Sequence, residues 1–166
     1  MKKYVLKQEG RPINEKIDDL AVEVEHLLDR DHVKNEIRRV HVHGGKSTQI
    51  QAILSKGLVD IGFQSERAGL FKQNQLRPDL YYKGDDFGIL LEVERGKTLA
   101  NNMDLLDLWK THICEVADVL ILVVPIERQR KNRNPEVIFD RVVARIQTFF
   151  ENRNYTNVLA CYIFGY

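Results

Sequence analysis

Cysteine is scarce in this chain. Only Cys114 and Cys161 occur in 166 residues, and neither has a partner at metal-ligand spacing. That excludes a disulfide scaffold or a cysteine-held zinc site, and it fits reduced thiols in a cytoplasmic protein. Excess charge of either sign is also missing. The formal net charge is +1, so there is no generally basic coat for nucleic acid, and phosphate contacts would have to come from a local patch. No apolar run approaches the ~20 residues of a membrane span, so no membrane partner is expected. The opening MKKYVLKQEG carries charge without an apolar stretch, unlike a signal peptide. No repeat, low-complexity tract or linker interrupts the sequence. What remains is an ordinary globular composition, 43% hydrophobic and 30% charged, at a length suited to one domain.

The first strong period is helical. Ile13, Ile17, Leu20, Ala21, Val24, Leu27 and Leu28 recur at three- and four-residue steps, which predicts an amphipathic helix over about 13–30. Residues 31–43 carry no clear period. Ser47 or Thr48 suits the cap of a second helix bearing Ile50, Ile53 and Leu54, with Gly57 as its stop. Leu58 to Phe63, Leu80 to Tyr82 and Phe87 to Glu94 read as three strands of an antiparallel meander, the last two joined by the turn Lys83-Gly84-Asp85-Asp86. A helix over about 98–116 follows, with Leu99, Met103, Leu106, Trp109 and Ile113 as its buried stripe. Val119 to Val124 is a continuous apolar run, as in a central strand buried on both faces. Asn134-Pro135-Glu136 reads as a helix start, and Val158 to Phe164 as a last strand. The alternation predicts an α/β domain: a mixed central sheet flanked by helices, with residues 1–46 as a helical extension and 47–166 as the core.

The third strand carries the chemistry. Side chains alternate along a strand, so Leu90, Glu92 and Glu94 share one face while Ile89, Leu91 and Val93 share the other. Two acids on one face of an otherwise apolar strand are costly, because burial and like charge both oppose ionisation. A cation removes both penalties. A hairpin through the Lys83–Asp86 turn brings Asp79 alongside, and three hard oxygen donors suit Mg²⁺ with several waters retained.

Pro78-Asp79, followed after a hairpin by Glu92-x-Glu94, resembles the PD-(D/E)xK nuclease superfamily with its restriction-endonuclease-like fold. The resemblance covers roughly residues 47–164. It implies that Asp79 and Glu92 bind Mg²⁺, with Mn²⁺ as a substitute, in an endonuclease that hydrolyses DNA phosphodiester bonds. The family's third position is usually Lys; here it is Glu94, as in a minority of Type II restriction endonucleases. In that setting Glu94 is a metal ligand or the general base. Lys97, near the start of the following helix, is a candidate for the missing positive charge. The family often adds an acid from its first core helix, where this chain has Gln49 and Gln51. Cutting both strands of a duplex implies a homodimer, for which the N-terminal helix is a candidate interface.

Further residues extend the picture. Gly44-Gly45-Lys46-Ser47-Thr48 looks like the end of a nucleotide phosphate loop, but Val40 stands where that loop requires glycine, so no nucleotide cofactor is expected. A loop leading into a helix N-terminus still suits a phosphate, which makes Lys46, Ser47 and Thr48 candidate DNA contacts. Arg128, Arg130, Lys131 and Arg133 concentrate positive charge in one loop and are candidates too; Arg67, Lys72 and Arg77 lie just before Asp79. His41 and His43 read as solvent- or DNA-facing. Three rival functions remain open: a structure-selective nuclease for junctions or damaged DNA, a DNA-binding or complex-forming module that kept the fold and lost catalysis, and a subunit that cuts only within a larger transposase or defence complex.

Overall fold

The structure is a computed structural model that describes residues 1–65, 70–71, 77–95, 98–131 and 133–166. Its centre is a six-stranded mixed sheet in the order β1-β8-β5-β4-β3-β2. The strands are β1 (Lys2–Lys7), β2 (Gln64–Ser65), β3 (Leu80–Lys83), β4 (Gly88–Val93), β5 (Val119–Val124) and β8 (Ala160–Gly165). The three central strands β4, β5 and β8 run parallel, while β1 and the β3–β2 pair are antiparallel to their neighbours. Between β5 and β8 a separate hairpin forms from β6 (Glu127–Arg130) and β7 (Arg133–Val137).

Helices cover both faces. On one side α1 (Glu15–Asp29), α2 (Asp31–Val40) and α3 (Ser47–Ile61) bury Ile17, Leu20, Val24, Ile50 and Leu54 against Ile89, Leu91, Val93 and Ile121. On the other, α4 (Met103–Ile113) and α5 (Phe139–Gln147) bury Leu108, Val142 and Ile146 against Leu90, Leu120, Leu122 and Ile163. The expected α/β architecture is therefore observed: a mixed sheet flanked by helices, with the N-terminal helix following the first strand. The alternation on β4 holds too, since Leu91 and Leu90 belong to opposite cores. Among the described residues no helix is long and apolar enough to cross a membrane.

Several local readings are corrected. Lys2–Lys7 is a strand although only Leu6 is buried; an edge strand needs little apolar content, and its lysines keep other chains from pairing with it. The segment 31–43 contains α2, which buries Val33 and Ile37. Gly57 does not stop α3. A Cβ there would strike the Leu27 side chain, so the glycine permits close packing of α3 on α1. The helix runs on through Leu58 to Ile61, where a strand was expected, and ends at Gly62 with φ +110°. Asn134-Pro135-Glu136 starts no helix; it lies in β7, where Glu136 takes ion pairs from Arg128 and Arg130 across the hairpin. The helix that follows begins only at Phe139. Finally, α1 is not outside the core: its apolar stripe packs with α3 against the sheet, and its Asp18 and Glu25 pair with Lys7 and Lys3 of β1.

Gly88 opens β4 against the Val116 carbonyl, and a Cβ there would overlap that backbone oxygen. Gly88→Ala is expected to destabilise the protein by about 2 kcal/mol, the scale of overpacking in a tight interior. Urea denaturation checks this; an unchanged midpoint would mean that the β4–β5 connection shifts freely.

Candidate active site

Strand β4 enters the sheet centre and carries Glu92 to its C-terminal end, with Glu94 just beyond. Leu80 pairs with Leu91, which puts Asp79 opposite Glu92 at the start of β3. The Asp79 backbone N–H donates to Glu92 Oε2 at 3.1 Å, and Asp79 Oδ2 accepts the Val93 N–H at 2.8 Å. Gln51 of α3 also hydrogen-bonds the Asp79 carboxylate. The hairpin thus brings Asp79 against Glu92, while Glu94, just beyond the strand, is linked to Asp79 only through charge. Glu92 is only 3% exposed, while Asp79 and Glu94 are half-buried. Beside Asp79 a cavity of about 240 Å³ opens, lined by Thr48, Gln51, Ser55 and Ser65.

Helix α4 supplies what the sequence reading missed. Its buried face consists of Asp104, Asp107, Leu108, Lys110 and Thr111. Trp109, expected in the core, is 49% exposed, and Met103, Leu106 and Ile113 are half-buried. The helix is rotated from its expected setting because its polar side has partners inside. Lys110 Nζ donates to Glu92 Oε1 and lies 2.8 Å from Asp107 Oδ1. Arg145 of α5 approaches Asp104 Oδ2 at 3.3 Å. The available signal was the spacing of Asp104, Asp107 and Lys110, three apart and so on one helical face.

The electrostatics follow from burial. Desolvation pushes Glu92 well above the ordinary carboxylate range, Asp107 and Asp79 push it further, and Lys110 opposes. Burial, with Asp107 and Asp79 nearby, raises Glu94 to about 8. Asp107 rises to about 6, again through burial, although Lys110 pulls it down. Asp79 and Asp104 are raised by burial as well. Burial disfavours the Lys110 charge, but Asp107 and Glu92 outweigh it and keep the ammonium protonated. The site therefore holds five crowded carboxyl groups around one lysine, with one arginine at its margin.

This donor set fits a hard divalent cation in its chemistry. The carboxylates outnumber the cations, and Asp107 Oδ2 is buried without a hydrogen-bond partner among the described residues. Among those residues no three acidic, histidine or cysteine side chains converge as a ready-made metal cage. Mg²⁺ does not require one: one or two carboxylates usually hold it, with waters and substrate phosphates completing the shell.

The remaining candidates divide. Lys97, Arg67 and Lys72 lie outside the described residues. Arg77 is exposed. Lys46 is exposed ahead of α3, and Ser47 is that helix's first residue. Arg128, Arg130, Lys131 and Arg133 gather on the β6–β7 hairpin and face His43 and Gly45 across a cleft. His41 is half-buried: its Nε2 lies 2.7 Å from the Glu127 carbonyl oxygen and its ring packs edge-on to Tyr166. Burial lowers its pKa, so the ring is neutral at neutral pH and its Nε2–H donates.

Two outcomes are expected. Removing one partner of a buried charge pair leaves the other charge unpaired, so Lys110→Met should cost about 3–5 kcal/mol at neutral pH, measured by urea denaturation. Adding Glu92→Gln and Asp107→Asn should restore part of that loss; strictly additive losses would show that the lysine acts elsewhere. The second outcome concerns pH. Glu94 titrates near 4.5 when unfolded and at about 8 when folded, so the folded state holds the extra proton between those values. Its contribution to stability is complete below pH 4.5 and is lost as pH rises to about 8. Without divalent metal, Glu94→Gln should flatten the fall in melting temperature across that window; an identical fall in both proteins would remove Glu94 as its source.

No protein-family model matches the sequence, and a search of curated proteins returns no relative.

Proposed function

We propose that the protein is a Mg²⁺-dependent endodeoxyribonuclease of the PD-(D/E)xK kind, hydrolysing phosphodiester bonds at the end of β4. The observation that carries the reading is the surplus of buried carboxylates at the end of β4, where Asp79 lies against Glu92 and Glu94 stands just beyond. Asp79 and Glu92 would hold the metal, with Glu94 as a further ligand or as the proton acceptor. A bound Mg²⁺ or Mn²⁺ polarises a phosphoryl oxygen and makes an attacking water more acidic.

The chain's own residues do the rest. Lys110 fixes one oxygen of Glu92 and leaves the other directed toward Asp79. The Val93 amide fixes one oxygen of Asp79. Glu94, with its pKa at about 8, gives up its own proton as the pH approaches that value and in the ionised form can take a proton from water. The lysine that the motif lacks at position 94 has a counterpart in Lys110, which offsets charge on the same carboxylate from the neighbouring helix. The basic hairpin and the Lys46–Ser47 segment would draw the DNA backbone toward this end of the sheet. A twofold homodimer is the simplest assembly for cutting both strands.

A second reading is favoured by one specific contact. Lys110 already neutralises Glu92, as it would in a DNA-binding module that needs no metal. Cleavage decides between the two. Plasmid, single-stranded DNA and a four-way junction are incubated with Mg²⁺, Mn²⁺ or EDTA. The nuclease reading expects metal-dependent cutting that falls at least about a hundredfold in Glu92→Gln, the scale for losing a metal ligand or its orienting partner. A preference for the junction would mark a structure-selective enzyme. Folded wild type that binds these DNAs and cuts none would establish the module.

A further inference from the structure

A second charged site lies at the same end of the sheet, on the other side of β4. The chain leaves the strand through Glu94, which is coupled to the α4 carboxylates, and then Arg95 turns the opposite way, into the loop between α2 and α3. Arg95 is 4% exposed. Its Nη1 donates to the Gly45 carbonyl and its Nη2 to the Val42 carbonyl, while Nε is buried without a partner among the described residues. Among the described residues no carboxylate forms an ion pair with it. A buried guanidinium satisfied by neutral carbonyls alone is an uncompensated charge, and such charges are costly.

Arg95 forms part of the wall of a cleft of about 440 Å³ between that loop and the β6–β7 hairpin. His43, Gly45, Arg128, Lys131 and Arg133 also line it. Arg128 and Arg130 share Glu136 across the hairpin. Lys131 and Arg133 have no ion-pair partner among the described residues. The cleft therefore presents three cations without carboxylates: one buried and fixed, two exposed. Its loop side is held in place, because a Cβ at Gly45 would meet both the Val40 carbonyl and the Arg95 guanidinium, and Gly44 sits at φ +83°.

We propose that this cleft binds a phosphate group carrying two negative charges, a phosphomonoester or free phosphate, with Arg95 as its fixed anchor and Lys131 and Arg133 closing from the hairpin. Near neutral pH a phosphomonoester is largely a dianion, and it offers three oxygens to cationic donors. A strand end and free phosphate share this chemistry. The site rests on the nuclease reading only if the phosphate is borne by a nucleic acid.

The test uses the full chain in EDTA, so that no cleavage enters it. Calorimetric titration compares inorganic phosphate with two otherwise identical oligonucleotides, one carrying a 5′-phosphate. The proteins are wild type, Lys131→Ala/Arg133→Ala and Arg95→Lys, each checked by thermal unfolding. Wild type should bind phosphate, and the double variant should bind it at least about tenfold more weakly, as expected for two lost charge-assisted contacts. Tighter binding of the phosphorylated oligonucleotide assigns the site to a strand end; phosphate binding with no difference between the oligonucleotides assigns it to free phosphate. Folded wild type that binds no phosphate, or a double variant with unchanged affinity, overturns the proposal. Because activity is not measured, failure of the nuclease reading leaves this result separately readable.

Discussion

The ammonium of Lys110 is the contact on which this end of the molecule depends. It sits 5% exposed between Glu92 on the central sheet and Asp107 on its own helix, and no apolar group can replace what it does there. A strand buried on both faces tolerates an ionised Glu92 only if a cation meets it. A helix tolerates an inward Asp107 only on the same condition. One lysine satisfies both, and in doing so sets the rotation of α4 about its axis. That rotation sends Trp109 outward and brings Asp104 in, where Arg145 from α5 reaches it.

The sheet end is divided by charge. On the α4 face lie Glu92, Glu94, Asp104 and Asp107, with Asp79 reaching Gln51 of α3 as well, and the carboxyl groups outnumber the cations that meet them. On the α3 face lies Arg95, with the basic hairpin across a cleft. Strand alternation produces this division at no extra cost in sequence: Glu92 and Glu94 face one way, and the next residue faces the other. The hydroxyl of Tyr166 donates to the Glu94 carbonyl at 2.9 Å and ties the C-terminus to the point where the two fields meet. An anionic polymer approaching here would meet attraction from one side. On the other, it would meet repulsion that only an added cation relieves.

How much of this was legible follows from which residues carry a periodic signal. The apolar run of β5 and the Pro78-Asp79 hairpin into Glu92-x-Glu94 were readable because strand burial and turn chemistry are local. The heptapeptide from Asp104 to Lys110 was not. Its leucines and tryptophan suggested a conventional buried stripe, and hydrophobic period alone cannot tell that the inward face is charged. That depends on Glu92, eighteen residues away in sequence from Lys110. Gly57 and Asn134-Pro135-Glu136 misled for a similar reason. Each has a strong local meaning that a distant contact overrides: Leu27 for the glycine, and Arg128 and Arg130 for the glutamate. The lysine-rich β1 carried too few apolar residues to register as a strand, yet β8 offered it an open edge.

The charge balance of the carboxylate cluster argues for a role beyond packing. If Asp79, Glu92, Glu94, Asp104 and Asp107 all ionised, Lys110 and Arg145 together would leave the cluster strongly negative. The protein meets that excess with protons, which is why Glu94 rises to about 8 and Asp107 to about 6. A purely structural cluster has no need of the excess: one carboxylate for each cation would stabilise the same helix setting, and apolar residues of similar size would often do so better. Protons held near neutral pH at the mouth of a strand are useful where they must be exchanged for a cation or passed to and from water. Asp79 and Glu94, which pair with neither Lys110 nor Arg145 among the described residues, are also the two that stay half-open to solvent, so the exchangeable charge lies where water and a cation can reach it.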